Sequence, residues 1–264
     1  MKINSCKNNI TPSFHAGLTS KMCEDIRGIN VKALEKEFAK HNIICNFKQD
    51  KSIAGAMTYA INLCQQAAER FGLPFHYTPP SIRVFETHEL IDPSDSENFG
   101  FCTWGKMPVI KYERMSNFGD IYINKFAKNE NITTYNEDVE KLHKLGIISS
   151  DHFLGQFLHE LFHNIHLNLL FERYGIENCI GTNDEIGELE KILHKKFSIL
   201  DKTTVRKNIS KQATNSYCEL FSEVLSKALV DSLVADTLEF KSNPMDELKN
   251  YPQRVQKFIK KQLL

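Results

Sequence analysis

Residues 157–166 read FLHELFHNIH, placing three histidines and a glutamate in a segment that otherwise has the apolar content of a buried helix. His159, Glu160 and His163 form the pattern H-E-x-x-H. On a helix, positions i and i+4 lie one turn apart on the same face, so two imidazoles so spaced can reach one zinc ion at about 2 Å. Glu160 falls at the edge of that face, where a carboxylate can take a proton from water without being a ligand. The His and Glu content of the chain makes an accidental H-E-x-x-H a roughly 0.03 event, so the pattern needs its context. That context is a helix in which Phe153, Phe157, Leu161 and Phe162 fill the neighbouring positions, with Ser149, Ser150 and Asp151 as N-cap candidates. The bland alternative is a core helix with unusual polar content.

A catalytic zinc takes three protein ligands and keeps one position open. His166 and His152 each stand seven residues from His159. That is about 10.5 Å along a helix axis, too far for convergence on one ion. His166 is expected at the pocket wall or the helix edge. Glu185, Glu188 and Glu190 share a stretch with Lys191 that reads as a solvated helix face. Glu219 fits best. In SYCELFSEV, Glu219 and Glu223 are one turn apart in an apolar helix, where two carboxylates are costly to bury without a cation or hydrogen-bond partners. Glu219 as ligand, with Glu223 accepting the second ring N–H of a ligand histidine, resolves both helices at once. The exchange of roles between Glu219 and Glu223 stays open, as does a plain solvent-flanking position for the pair.

The 264-residue chain has Lys+Arg 33 against Asp+Glu 33, a formal net charge of +0, so it carries no global electrostatic footprint for nucleic acid or anionic membrane. Its seven cysteines are scattered without a C-x-x-C pair and read as reduced thiols. Neither a secretory signal nor a run long enough to span a membrane is visible, which points to a cytoplasmic protein, with export by a signal-independent route compatible with the same sequence.

Residues 1–50 read as a polar leader or surface-laid arm, with one short helix in VKALEKEFAKHN, and residues 51–264 as the domain proper. Within that domain the patterns predict a helix in AGAMTYAINLCQQAAERFG and a strand in PSIRVFET. Two short strands flank Gly105, and a further strand lies in GDIYINKF. Helices follow in NEDVEKLHKLGI, in the H-E-x-x-H segment, in EIGELEKILHKKFSIL, in SYCELFSEVLSKALVDSL and in the tail, broken near Pro252. A small mixed sheet followed by an active-site helix and a mainly helical C-terminal half is an α+β architecture.

H-E-x-x-H on one helix followed by ELFSE (219–223) on a later one resembles the gluzincin branch of zinc metallopeptidases, and within it the catalytic domain of the anthrax lethal factor type. The likeness extends over residues 50–264. It implies a zincin-like fold, one Zn²⁺ per chain held by His159, His163 and Glu219, and Glu160 as general base of a peptide-bond hydrolysis. A toxin or effector role would follow only by that analogy. Two positions depart from the pattern. Phe162 stands before the second ligand where the group often has Gly. Gln212 stands seven residues before Glu219, where the group has an oxyanion-steadying tyrosine, which leaves Tyr217 as a weak substitute. Zincins bind an extended peptide along a sheet edge, so the likeness places a peptide substrate against residues 119–126, with Tyr122 and Ile123 at the contact. The alternative for that segment is an ordinary amphipathic strand with Ile121 and Ile123 in the core. The competing function is a zincin-fold binding or scaffold protein with a structural or vestigial metal site. No nucleic-acid or membrane partner is expected.

Overall fold

The computed structural model describes residues 14–15, 17–18, 26, 28–92, 99–125, 132–175, 191–195, 202–234 and 238–264. A short antiparallel ribbon, β1 (Phe14–His15) with β2 (Gly17–Leu18), precedes the main body. Helix α1 (Val31–Lys40) starts at Asn30, whose side chain accepts the Ala33 N–H, and it buries Val31, Leu34 and Phe38. Strand β3 (Ile44–Asn46) follows directly. Both lie inside the stretch expected to be a leader, yet Phe38 and Phe47 are fully buried in the main core and β3 is part of the sheet. Apolar residues at helical spacing in α1 and Phe47 after β3 leave this segment no stable place on the surface. The packed body therefore starts well before residue 51.

Helix α2 (Lys51–Phe71) is capped by Asp50 and ends at Gly72 in the left-handed region (φ +65). Strands β4 (Ser81–Phe85), β5 (Gly100–Cys102) and β6 (Ile121–Asn124) complete a sheet of order β3-β4-β6-β5. The first three run parallel and β5 is antiparallel to β6. Ile82, Val84, Ile121, Ile123 and Cys102 face the helices, whereas Phe85, Phe101 and Tyr122 form a smaller cluster on the other face with Leu90, Val109 and Ile110. The second strand expected beyond Gly105 is reduced to a single bridge between Ile110 and Leu90.

The sheet order corrects the expected substrate edge. β6, which contains Tyr122 and Ile123, is paired on both sides, and these two residues are 1% and 0% exposed. The ladder groups of Ile121–Asn124 are already used, so these residues offer no free edge to a peptide. The edges of the sheet are β3 and β5.

Helix α3 (Ile132–Lys144) leads to α4 (Phe153–Tyr174), which carries H-E-x-x-H and is buried on nearly all sides as far as Leu167. The cap of α4 is His152, not one of the preceding serines: its Nδ1 accepts the Leu154 N–H at 3.2 Å. Helix α5 (Lys202–Asn208), a 3-10 turn at Gln212–Thr214, helix α6 (Tyr217–Asp231), a 3-10 helix at Pro244–Asn250 and helix α7 (Gln253–Leu263) follow. α6 packs along α4, with Phe221 against Phe162 and His166. The helices and small mixed sheet are the α+β arrangement that the order of patterns predicts. Glu185, Glu188 and Glu190 lie outside the described residues. No helix among the described residues is long and apolar enough to cross a membrane.

Candidate metal centre

Two helices build the site. The one-turn spacing on α4 stacks His159 and His163 edge to face, with ring centroids 4.6 Å apart. On α6 the Ser216 hydroxyl accepts the Glu219 N–H at 3.0 Å, which fixes the first turn and leaves the Glu219 carboxylate free to reach across to α4. His159 Nε2 lies 2.9 Å from His163 Nε2 and 3.1 Å from Glu219 Oε2, and His163 Nε2 lies 3.4 Å from Glu219 Oε1.

These spacings fit a metal. Ligands about 2.0–2.1 Å from a tetrahedral ion are about 3.3 Å from one another. Two imidazole nitrogens this close to each other and to one carboxylate cannot all be satisfied by shared protons, and Glu219 Oε2 is buried without a hydrogen-bond partner. One cation accepts from all three. His159, His163 and Glu219 are the one such ligand cluster found among the described residues, and two histidines with a glutamate form a donor set used by catalytic zinc.

Glu223 stands behind His159. Its Oε1 lies 3.1 Å from His159 Nδ1, and its Oε2 accepts the Ser149 backbone N–H at 2.6 Å. Glu219 faces the Nε2 pair, whereas Glu223 faces the opposite nitrogen of His159. Burial penalises a charged His159, but Glu219 and Glu223 outweigh it and hold its pKa well above the ordinary histidine range. Burial likewise pushes Glu219 up, and His163 and His159 outweigh that, holding it well below the carboxylate range. Both shifts express a demand for positive charge at one point.

Glu160 is buried, with Oε2 lacking a hydrogen-bond partner. Burial raises its pKa, Glu219 and Glu223 add to the rise, and His159 and His163 oppose it. Its stem lies over β5, where a Cβ built on Gly100 would come 3.3 Å from Glu160 Cγ. The general-base candidate therefore sits between the ligand helix and the sheet edge.

Other expected site residues fall elsewhere. His166 is fully buried, with its ring stacked on Phe221 at 4.0 Å between centroids, so it is a core residue and not a pocket wall. Burial lowers its pKa to about 3, which keeps it neutral. Tyr217 starts α6 with its hydroxyl 3.2 Å from His194 Nδ1 and its ring against Phe258. A residue not expected at the site is there: Gln212 Nε2 lies 3.4 Å from His159 Nε2. Only its separation from Glu219 drew notice in the sequence, and no periodicity marks a residue in a 3-10 turn.

No protein-family profile matches the chain, and no curated protein matches it. Among solved structures, a candidate zinc-binding metallo-peptidase from Bacteroides caccae is similar at 9% identity, over 94% of this chain and 85% of that one, with a TM-score of 0.36. A likeness at that level assigns neither family nor activity.

Proposed function

We propose that the protein is a zinc-dependent endopeptidase of zincin type, with His159, His163 and Glu219 as ligands and Glu160 as general base. The observation that carries this reading is the convergence of three ligand atoms beside a buried carboxylate that no structural role employs. A purely structural zinc would have no use for Glu160, and tetrahedral structural sites are closed by four protein ligands.

Zinc bound here supplies a Lewis acid that acidifies water and polarises a carbonyl. Glu160 takes the water proton on a carboxylate oxygen and delivers it to the departing amine, a task matched by its raised pKa. Glu223 fixes the His159 ring through Nδ1 and is itself fixed by Ser149. The substrate main chain adds to β5. Phe99, Phe101 and Thr103 face β6 in the antiparallel ladder, so alternation turns the N–H and C=O groups of Gly100 and Cys102 outward. That edge runs beside Glu160. The narrower likeness to the lethal factor group rests on HELFH, ELFSE and the order of elements around them.

The test pairs metal analysis with cleavage of an unfolded protein such as casein. Purified protein should hold about one zinc per chain. Glu160→Gln should keep the metal and lose cleavage by roughly 10²–10⁴-fold. Undiminished cleavage by Glu160→Gln would remove the mechanism. Zinc binding without cleavage of any peptide by the wild type would favour a binding protein instead.

A further inference from the structure

The loop that joins β5 to β6 displays apolar side chains that a folded chain ordinarily hides. Met107 and Met115 are 47% and 48% exposed, Ile91 beside them is 45% exposed, and Tyr112 is fully exposed. The underside of the same loop is anchored. Val109 and Ile110 are buried against Phe85, Leu90 and Tyr122, on the face of the sheet away from the helices. The Ile91 N–H donates to the Val109 carbonyl at 3.0 Å, and the Lys111 N–H to the Glu89 carbonyl at 2.8 Å. At the mouth of the loop the Ser116 N–H donates to the Met107 carbonyl at 2.9 Å. The buried Ser116 hydroxyl accepts the Met107 N–H and donates to the Gly105 carbonyl. These bonds bring Met107 and Met115 close together. At the tip the Glu113 N–H donates to the Ile110 carbonyl at 3.3 Å and closes a turn. Within it Tyr112 takes φ +62, a left-handed conformation uncommon for a bulky side chain. The packing that fixes the loop thus turns its large apolar groups outward.

The charges among these groups have one sign in excess. Lys106, Lys111 and Arg114 alternate along the chain with Met107, Tyr112 and Met115. Glu113 is taken up by Arg83, Glu89 by Lys48, and Asp120 is buried 3.8 Å from the Arg114 guanidinium. Asp92, next to Ile91, is the acidic counterweight at the rim. Lys106 has no acidic partner among the described residues, and the Lys111 ammonium donates to a carbonyl, that of His88. The whole chain is neutral, which argues against long-range attraction to a membrane. With a Debye length of about 8 Å, however, the local balance decides at contact.

We infer that this loop docks the protein on an anionic phospholipid surface. Ile91, Met107, Tyr112 and Met115 enter the headgroup boundary, and Lys106, Lys111 and Arg114 meet the lipid phosphates. Stable attachment at a membrane surface takes two weak signals together, apolar insertion and a basic patch, and the loop offers both. Methionine adapts to irregular apolar surroundings, and a tyrosine ring suits the boundary between hydrocarbon and water. Lysine stems lie along apolar surface while the ammonium stays in water. A protein partner fits less well. Protein interfaces are depleted of lysine at their centre and place their anchors in desolvated pockets, whereas here lysines interleave with the apolar tips. The docking needs neither zinc nor peptide hydrolysis.

The experiment sediments the full chain with vesicles of phosphatidylcholine, alone or with about one third phosphatidylserine. Three cations at about fivefold each give partition roughly 10²-fold stronger on the anionic vesicles, a gain lost in high salt. Tyr112→Ser with Met115→Ser should lower partition on the anionic vesicles by roughly 10-fold. Lys106→Glu with Lys111→Glu should reduce it to the level seen on phosphatidylcholine alone. All four positions are exposed, so urea midpoints equal to wild type are expected, which separates a lost interaction from a lost fold. Equal partition on both vesicles, binding to neither, or partition unchanged in either double variant would overturn the assignment. Sedimentation velocity without lipid tests the other occupant. A dimer that Tyr112→Ser with Met115→Ser dissociates would make the loop an interface between copies of this chain instead. None of these measurements reads metal or cleavage, so failure here is distinct from failure of the zinc-peptidase reading.

Discussion

At the scale of single residues, Glu223 shows how a buried carboxylate differs from its amide. Its Oε2 accepts the Ser149 N–H, and its Oε1 lies 3.1 Å from His159 Nδ1, placed to take that ring's N–H when Nε2 holds a metal. A glutamine offers one acceptor and one donor, so Glu223→Gln sets a donor against a donor at one end whichever way it is turned. Residues behind a metal ligand typically contribute 10–100-fold to metal affinity. Glu223→Gln is expected to weaken zinc binding by roughly that factor, with a further ~1–3 kcal/mol loss of stability from the unsatisfied buried donor. Chelator competition and urea unfolding measure the two effects separately. Zinc affinity equal to wild type would mean that His159 needs no such support.

At the scale of elements, what is local was legible and what is long-range was not. His159 and His163, and likewise Glu219 and Glu223, are related by one helical turn, so each pair can be read from its own segment. The union of the two pairs was readable because each helix contains a polar anomaly that the other cures. Strand order is different in kind. β6 pairs with β4, some forty residues earlier, and with β5, and no alternation within GDIYINKF tells an interior strand from an edge. The same limit hid Gln212, which reaches His159 through a turn pinned on residues 146–147. It also hid Gly100, whose small size matters only because β5 lies so close to β6 and α4. A Cβ there would come within 2.7 Å of the Tyr122 carbonyl oxygen and 3.0 Å of Ile123 Cδ1, and the backbone oxygen cannot give way cheaply. Gly100→Ala is therefore expected to cost about 1–3 kcal/mol of stability and to reduce cleavage by displacing the edge beneath Glu160, with zinc content intact. Urea unfolding beside metal analysis checks this, and a variant as stable as wild type would show that β5 has more room than its contacts imply.

At the scale of the whole molecule, the ligands tie together two helices that are otherwise far apart in sequence. His163 and Glu219 are 56 residues apart (219 − 163), and the connection between them includes residues 176–190, which lie outside the described structure. The contact of α4 with α6 includes apolar packing that needs no ion, Phe162 against Phe221, both buried. The metal should therefore add to a fold that stands without it, unlike the small metal-dependent domains that unfold on chelation. An ion that binds the folded state alone stabilises it by about 2.7 kcal/mol at a free concentration of 100 Kd. For a chain of this size that corresponds to a rise in Tm on the order of 5–10 °C. Thermal melts with excess EDTA and with excess zinc should thus both be cooperative and differ by that interval, and His163→Ala should melt at one temperature in either condition. Melting unmoved by zinc in the wild type would separate the cluster from metal binding. Loss of the folded state in EDTA would instead show that the carboxylates of Glu219 and Glu223 cannot be buried against histidines alone.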